Sequence, residues 1–282
     1  MKVLLSRYAG ACYGVERALA LVDTAAAAAR NAADRPAVYT LGPLIHNPLV
    51  VAKLEQRHIH VVAHVDDVGE GVIVIRSHGV APQVIEAARA KGLTVVDATC
   101  PYVKKAQEAA SRLTRQGHTV VIVGEKGHPE VEAIKAYAGH SPIVAQDVAD
   151  LPVELPQGSI GVVVQTTQSA QALDAIVGAL RRRGVEPLVK NTICFATQQR
   201  QQSAASLAKD VDAMIVVGGR NSGNTTRLYQ ICKAVCPNTH HIEQASELDS
   251  TWFTDVATVG VTAGASTPQD HLAAVLAALE AN

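Results

Sequence analysis

Residues 93–105 read LTVVDATCPYVKK, an apolar run followed by a helix-forming one, with Cys100 and Pro101 at the junction. The run Leu93-Thr94-Val95-Val96 has the composition of a strand. The stretch after it, PYVKKAQEAASRLTRQG, repeats apolar residues at helical spacing. A proline's fixed φ and missing N–H suit the first turn of a helix and almost nowhere further in. Cys100 therefore falls at or beside the N-cap, where unpaired N–H groups and the positive end of the helix dipole attract negative charge. A cysteine there reads as a ligand or nucleophile as readily as a packing residue.

The same junction occurs twice more. Cys12 follows KVLLSRYAGA and precedes YGVERALALVDTAAAAAR, and Cys194 follows PLVKNTI and precedes FATQQRQQSAASLAKD. The three cysteines stand 88 and 94 residues apart in a chain of 282, so each third carries one. Periodicity of that kind marks repeated supersecondary units. The agreement extends further along each third. A second strand ends in a glycine turn in AVYTLGPLIHNP, TVVIVGEKGHPE and AMIVVGGRNSGN, with His46, His128 and Asn224 in matching places. A third strand follows in GVIVIRSHGVAP, SIGVVVQTTQS and VATVGVTAGASTP, with His78, Thr166 and Ser266 at the tips. The expected fold is α/β: three pseudo-threefold-related units in a cloverleaf, with residues 13–98 forming the first, 99–190 the second and 191–282 the third, completed by the N-terminal strand 1–12. Ligands of open α/β sheets collect outside the carboxyl ends of the strands, where these polar tips lie.

Composition agrees. Hydrophobic residues make up 48% of the chain and aromatics only 3%, so the core consists of Val, Ile, Leu and Ala, as suits parallel strands covered by helices. The net charge of −1, with no basic block or aromatic-and-basic stripe, argues against a nucleic-acid partner. The opening MKVLLSRYAG has too short an apolar run for a secretion signal, and no stretch is long enough to span a membrane, so a cytoplasmic protein is expected. An odd number of cysteines, five, argues against a disulfide framework. Cys232 and Cys236, four apart on one helix face, read as packing residues; His58, His60, His64, His240 and His241 receive no role.

Three converging thiolates would hold a metal centre. Zinc with three cysteines and a fourth ligand is one choice, although structural zinc sites bring ligands in close pairs that are absent here. A cubane iron–sulfur cluster with three cysteines, leaving one iron open, is the other. The accompanying set of His46, His78, Ser222, Asn224, Thr166 and Ser266 near helix starts suits a phosphate or diphosphate, with hydroxyl and amide donors and imidazoles able to carry positive charge. His128 and Glu130 sit two residues apart at a strand-to-helix turn, and a buried carboxylate beside a metal can hold and deliver a proton. A sensor or structural iron–sulfur protein has no need of an anion cradle and a proton donor. A zinc hydrolase of phosphorylated molecules would work without a reductant.

The motifs GACYGVERAL, GPLIHN, RSHGV, DATCP, GHPEVE, QTT, NTICFATQQRQ, GGRNSGN and GVTAGAS, in this order and covering nearly the whole chain, resemble those of the 4-hydroxy-3-methylbut-2-enyl diphosphate reductase family. The resemblance implies a cloverleaf around a central [4Fe–4S] cluster ligated by Cys12, Cys100 and Cys194, with the open iron for the substrate's hydroxyl oxygen. It implies that His46, His78, Ser222, Asn224 and Ser266 hold the diphosphate, that His128 and Thr166 orient the substrate, and that Glu130 supplies the proton. The implied reaction is the two-electron reductive dehydroxylation to isopentenyl and dimethylallyl diphosphate, the last step of the methylerythritol phosphate route, with a ferredoxin or flavodoxin as electron donor. One departure is visible: Gly223 stands between Ser222 and Asn224 where the family commonly has a second serine, so one hydroxyl is missing and the Gly223 N–H remains.

Overall fold

The computed structural model describes residues 1–281. In chain order the elements are β1 (Lys2–Leu5), α1 (Tyr13–Asn31), β2 (Val38–Leu41), α2 (Pro48–Gln56), β3 (Ile59–Val62), β4 (Val72–Ile75), α3 (Pro82–Ala90) and β5 (Thr94–Asp97). Next come α4 (Pro101–Arg115), β6 (Thr119–Val123), α5 (Pro129–Lys135), β7 (Ile143–Ala145), β8 (Ile160–Val164), α6 (Ala170–Arg182) and β9 (Leu188–Val189). The last third holds α7 (Phe195–Leu207), β10 (Ala213–Val217), α8 (Gly223–Lys233), β11 (Thr239–Ile242), β12 (Thr258–Ala263) and α9 (Gln269–Glu280).

The strands form three four-stranded sheets in the orders β3-β2-β4-β5, β7-β6-β8-β9 and β1-β12-β10-β11, every pair parallel. The expected α/β class with an N-terminal strand joined to the last sheet is what the chain adopts: β1 pairs with β12 in the register Lys2 to Thr258. Backbone contacts divide the chain into two compact units. One contains Met1–Glu16, His46–Val50 and Phe195–Asn282, and so the sheet built on β12 and β10; the other contains Arg17–Ile45 and Val51–Cys194, with the other two sheets.

Each sheet is apolar on both faces, because helices cover both. In β6, Val120 and Ile122 pack with Leu113 of α4 and Ile134 of α5, while Val121 and Val123 pack with Ile176 and Leu180 of α6. The period of two along a strand sends alternate residues to opposite faces. Gly161 in β8 admits α4 closely: a Cβ there would stand 2.7 Å from the Leu113 side chain. In β10, Met214 and Val216 face α7 and α8, and Ile215 and Val217 face Leu272 and Val275 of α9. Cys232 and Cys236 belong to the α7/α8 core, as expected of packing residues. Burial pushes the Cys232 thiol pKa up to about 12, so it stays a neutral apolar group.

Candidate functional site

The three repeated cysteines are placed by one local design. Each immediately precedes a helix, α1, α4 or α7, and each is half-buried and outside any disulfide. Each donates its backbone N–H to the carbonyl at the end of the neighbouring third strand: Cys12 to Ala265 at 3.0 Å, Cys100 to Ser77 at 2.9 Å and Cys194 to Thr166 at 2.9 Å. The turns before Cys100 and Cys194 also share an Asx turn. Asp97 Oδ1 accepts the Thr99 N–H at 2.9 Å, and Asn191 Oδ1 accepts the Ile193 N–H at 3.1 Å. Before Cys12 the matching position is Ala9, which has no side-chain acceptor, and the next residue is Gly10, whose φ of +98° only glycine adopts easily.

This hydrogen-bond register refines the matching of the tips. Ser77, Thr166 and Ala265 are the equivalent residues that accept from the cysteines, which pairs His78 and Ser266 with Thr167 rather than with Thr166. The next turn bond repeats the register: Gly79 donates to Arg76, Gln168 to Gln165 and Thr267 to Gly264. At the second strand, His128 caps α5 and Ser222 caps α8. Asn224 therefore matches Glu130, two residues into the helix, and Ser222 matches His128.

In the unit of Arg17–Ile45 and Val51–Cys194, a continuous set of groups surrounds Glu130. Its side chain is 2% exposed. Oε1 accepts the Thr166 N–H at 2.6 Å and Oε2 accepts the Thr166 hydroxyl at 2.8 Å. Burial raises the carboxyl pKa to about 7, outweighing those two hydrogen bonds, which favour the anion. The Glu130 N–H donates to Nδ1 of His128 at 3.1 Å, so that nitrogen carries no proton and the neutral ring holds its hydrogen on Nε2. Burial first and the nearby Arg76 charge second lower the His128 pKa to about 4. His128 is accordingly a neutral donor rather than an imidazole able to carry positive charge. His78 meets His128 edge to face, with ring centroids 5.6 Å apart. Thr166 thus touches both the acid, through its N–H and hydroxyl, and the Cys194 backbone, through its carbonyl.

In the other unit, Ser222 caps α8 by accepting the Thr225 N–H at 3.4 Å, which leaves its hydroxyl proton available. Asn224 is 4% exposed, and neither atom of its amide has a hydrogen-bond partner among the described residues. An amide buried without partners is costly unless something else satisfies it. It stands in the first turn of an eleven-residue helix, where backbone N–H groups and the helix dipole favour negative charge. Two glycines make room here: a Cβ on Gly264 would lie 2.1 Å from Thr225 Oγ1, and one on Gly218 2.8 Å from the same atom. The Ser266 hydroxyl donates to the His46 carbonyl at 2.9 Å, and Asn47 Nδ2 donates to the Ser266 carbonyl at 2.9 Å. The hydroxyl proton of Ser266 is therefore engaged in this conformation, and contact with an anion requires it to rotate.

A family model described as LytB protein matches residues 3–280. The chain belongs to the LytB family. It is 48% identical over 272 residues to the 4-hydroxy-3-methylbut-2-enyl diphosphate reductase of Pelobacter propionicus, covering 95% of this chain and 94% of that one. With the protein of the same description from Citrifermentans bemidjiense it shares 50% over 271 residues, or 95% and 93% of the two chains. A solved structure of the E-1-hydroxy-2-methyl-but-2-enyl-4-diphosphate reductase from Plasmodium falciparum matches with a TM-score of 0.91 at 27% identity, over all of this chain and 88% of that one. Another, described as (E)-4-hydroxy-3-methyl-but-2-enyl diphosphate reductase, the terminal enzyme of the non-mevalonate pathway, matches with a TM-score of 0.72 at 43% identity over the full length of both.

Within this LytB-family chain, four contributors stand apart from the residues that the repeat singles out. Arg76 sets the charge beside His128. Asn47 fixes the Ser266 turn. Arg17 of α1 donates to the Thr99 carbonyl next to Cys100 at 3.3 Å, and Arg200 of α7 donates to the Gly10 carbonyl, two residues before Cys12, at 2.8 Å. Both arginines lie on helices that begin at a cysteine, five and six residues after it, and each reaches back to brace the turn of another cysteine. Their offsets from those cysteines differ and their contacts span 82 and 190 positions, so the linear pattern carries no signal for either. Among the described residues no helix is long and apolar enough to cross a membrane.

Proposed function

We propose that this chain carries out the two-electron reductive dehydroxylation of 4-hydroxy-3-methylbut-2-enyl diphosphate, the terminal step of the non-mevalonate isoprenoid route. Two electrons and two protons convert the substrate into isopentenyl or dimethylallyl diphosphate and water. The buried Glu130 carboxyl carries this reading: it is a proton held at a pKa of about 7 and clamped by a residue that also places a cysteine.

The donor set fits an iron–sulfur cluster. Three half-buried cysteines, each just before a helix and outside any disulfide, offer soft thiolate ligands with backbones fixed by the same hydrogen bond. A [4Fe–4S] cluster on Cys12, Cys100 and Cys194 would supply the electrons one at a time and an open iron for the substrate's hydroxyl group. The chain's own residues do the rest. Asn224 and Ser222, with the Gly223 N–H at the start of α8, receive the diphosphate; His46, His78 and Ser266 complete that cradle. Neutral His128 donates from Nε2 without bringing a charge, and Thr166 holds Glu130 in the orientation from which its carboxyl gives up a proton. The Gly223 N–H in place of a serine hydroxyl weakens the grip on the anion without removing it. The finer partner and place come from the same chemistry: a small one-electron carrier such as a ferredoxin or flavodoxin, in the cytoplasm.

The test is anaerobic reconstitution followed by reduced viologen and the hydroxylated diphosphate. Substrate-dependent dye oxidation with release of the two isoprenoid diphosphates is expected. A colourless, zinc-loaded protein without dye oxidation overturns the proposal.

A further inference from the structure

At the amino ends of β2 and β3 lies a cavity of about 300 Å³. This is the opposite end of the sheet from Ser77, His78 and Cys100, which follow the carboxyl ends of β4 and β5. Its polar lining is Arg30, Arg35, Arg57, His58 and His60, with no carboxylate among the lining residues. In a chain of net charge −1 that is a strong local bias. Its floor is apolar, formed by Ala26, Ala29, Pro36, Val38 and Ile59. Arg57 is tied to Asp23 at 2.6 Å and His60 to Glu55 at 3.0 Å, so the basic excess rests on Arg30, Arg35 and His58. Among the described residues neither Arg30 nor Arg35 has a carboxylate partner.

At two of these five basic residues the backbone conformation is one that favours glycine. His58 occupies a left-handed turn, φ +60°, between α2 and β3, with its N–H donating to Glu55 at 2.9 Å. Three other helix-to-strand turns are built the same way, with N–H bonds of 2.9 Å to the residue three before. Glycine stands in all three: Gly92 (φ +82°), Gly117 (φ +83°) and Gly184 (φ +80°). Glycine is the residue this conformation favours. Arg35, φ +44°, is a second left-handed position in the same lining. Of the four non-glycine positive-φ positions among the described residues, two are thus basic and line one cavity.

We propose that this cavity is a second ligand site, at the far end of the sheet from Cys100, which takes a phosphate or diphosphate group joined to a short apolar body. Arginine forks recognise such anions, the apolar floor receives the body, and the volume lies at the small end of ligand sites. Short prenyl diphosphates, the class of the product, have this chemistry; that part of the assignment rests on the reductase reading, and the anionic part does not.

The test is calorimetric titration of the anaerobically prepared holoenzyme with isopentenyl diphosphate, inorganic diphosphate and isopentenol, beside a turnover assay. Two equivalents of isopentenyl diphosphate are expected to bind the parent protein. In the double variant Arg35→Gly/His58→Gly one equivalent weakens at least tenfold, while turnover is unchanged and the unfolding midpoint is equal to the parent's or higher, because glycine suits both turns. Asn224→Ala weakens the other equivalent and spares this one. A single equivalent in the parent, or a second one untouched by the double variant, overturns the proposal, as does isopentenol or inorganic diphosphate competing as well as isopentenyl diphosphate. Failure of turnover with two equivalents still bound counts against the reductase reading alone.

Discussion

Glu130→Gln removes the proton while keeping the shape, and the surroundings of Glu130 set its consequences. The amide oxygen of glutamine accepts the Thr166 N–H as Oε1 does now at 2.6 Å, and the Thr166 hydroxyl turns from donor to acceptor at the other position. The fold therefore changes by less than about 1 kcal/mol near pH 5. The pH dependence changes more. The folded pKa of about 7 stands above the ordinary 4.5, so the native state holds a proton that the unfolded chain has released. The stabilisation from that proton is complete below pH 4.5 and is lost as pH rises through 7, about 3 kcal/mol across the window. The glutamine variant lacks that loss. Loss of a positioned general acid costs roughly a hundredfold or more in kcat, and the KM for the diphosphate stays close to the parent's because the anion cradle is intact. With Glu130 as the proposed proton source, parent activity should fall as pH rises through about 7, whereas His128, lowered to about 4, should add no transition there. Reduced-viologen kinetics across neutral pH, from mildly acidic to mildly alkaline buffer, paired with urea unfolding at the same values, measure both effects. A glutamine variant within about twofold of the parent rate, or one that keeps the alkaline fall, would refute the proton-donor role.

Thr166→Val removes one of the two hydrogen bonds that favour the ionised carboxyl. The alkaline limb of the rate profile should move upward, with kcat down roughly tenfold; an unmoved limb argues that the hydroxyl does not hold Glu130. Asn224→Ala should raise KM roughly tenfold or more with a smaller effect on kcat, measured in the same dye assay, because its buried amide is free for the anion. Gly264→Ala puts a Cβ 2.1 Å from Thr225 Oγ1. It should destabilise the fold by about 1–3 kcal/mol, read as a lowered urea midpoint.

The cysteine turns are legible in the sequence because the same strand, turn and helix stand three times at nearly equal spacing, and Cys100 carries a proline that fixes the helix start. The packing role of Cys232 and Cys236 is legible from their apolar surroundings, but not from a shared helix face: α8 ends at Lys233, and Cys236 packs against it from the turn that follows. The pairing of the polar tips is less so. Thr166 and Thr167 are adjacent hydroxyl residues that composition does not distinguish, and only the bond from Cys194 to the Thr166 carbonyl sets the register. Asn224 reads as the counterpart of His128 for a similar reason: helix caps shift by a residue without altering the polar character of a turn. The acidity of Glu130 and the neutrality of His128 come from burial and from Arg76, neither of which a linear pattern displays. Arg200 lies within a helix of ordinary composition, and its brace to Gly10 joins residues 190 positions apart.

The central proposal is that Cys12, Cys100 and Cys194, each just before a helix, would together hold one redox centre. Its most direct measurement is iron and acid-labile sulfide content, with Mössbauer spectra, of the anaerobically reconstituted protein. About four irons per chain with matching sulfide are expected, most of it lost in each of Cys12→Ser, Cys100→Ser and Cys194→Ser and retained in Cys232→Ser/Cys236→Ser. One zinc per chain without sulfide, or full iron in any of the three single variants, would contradict it.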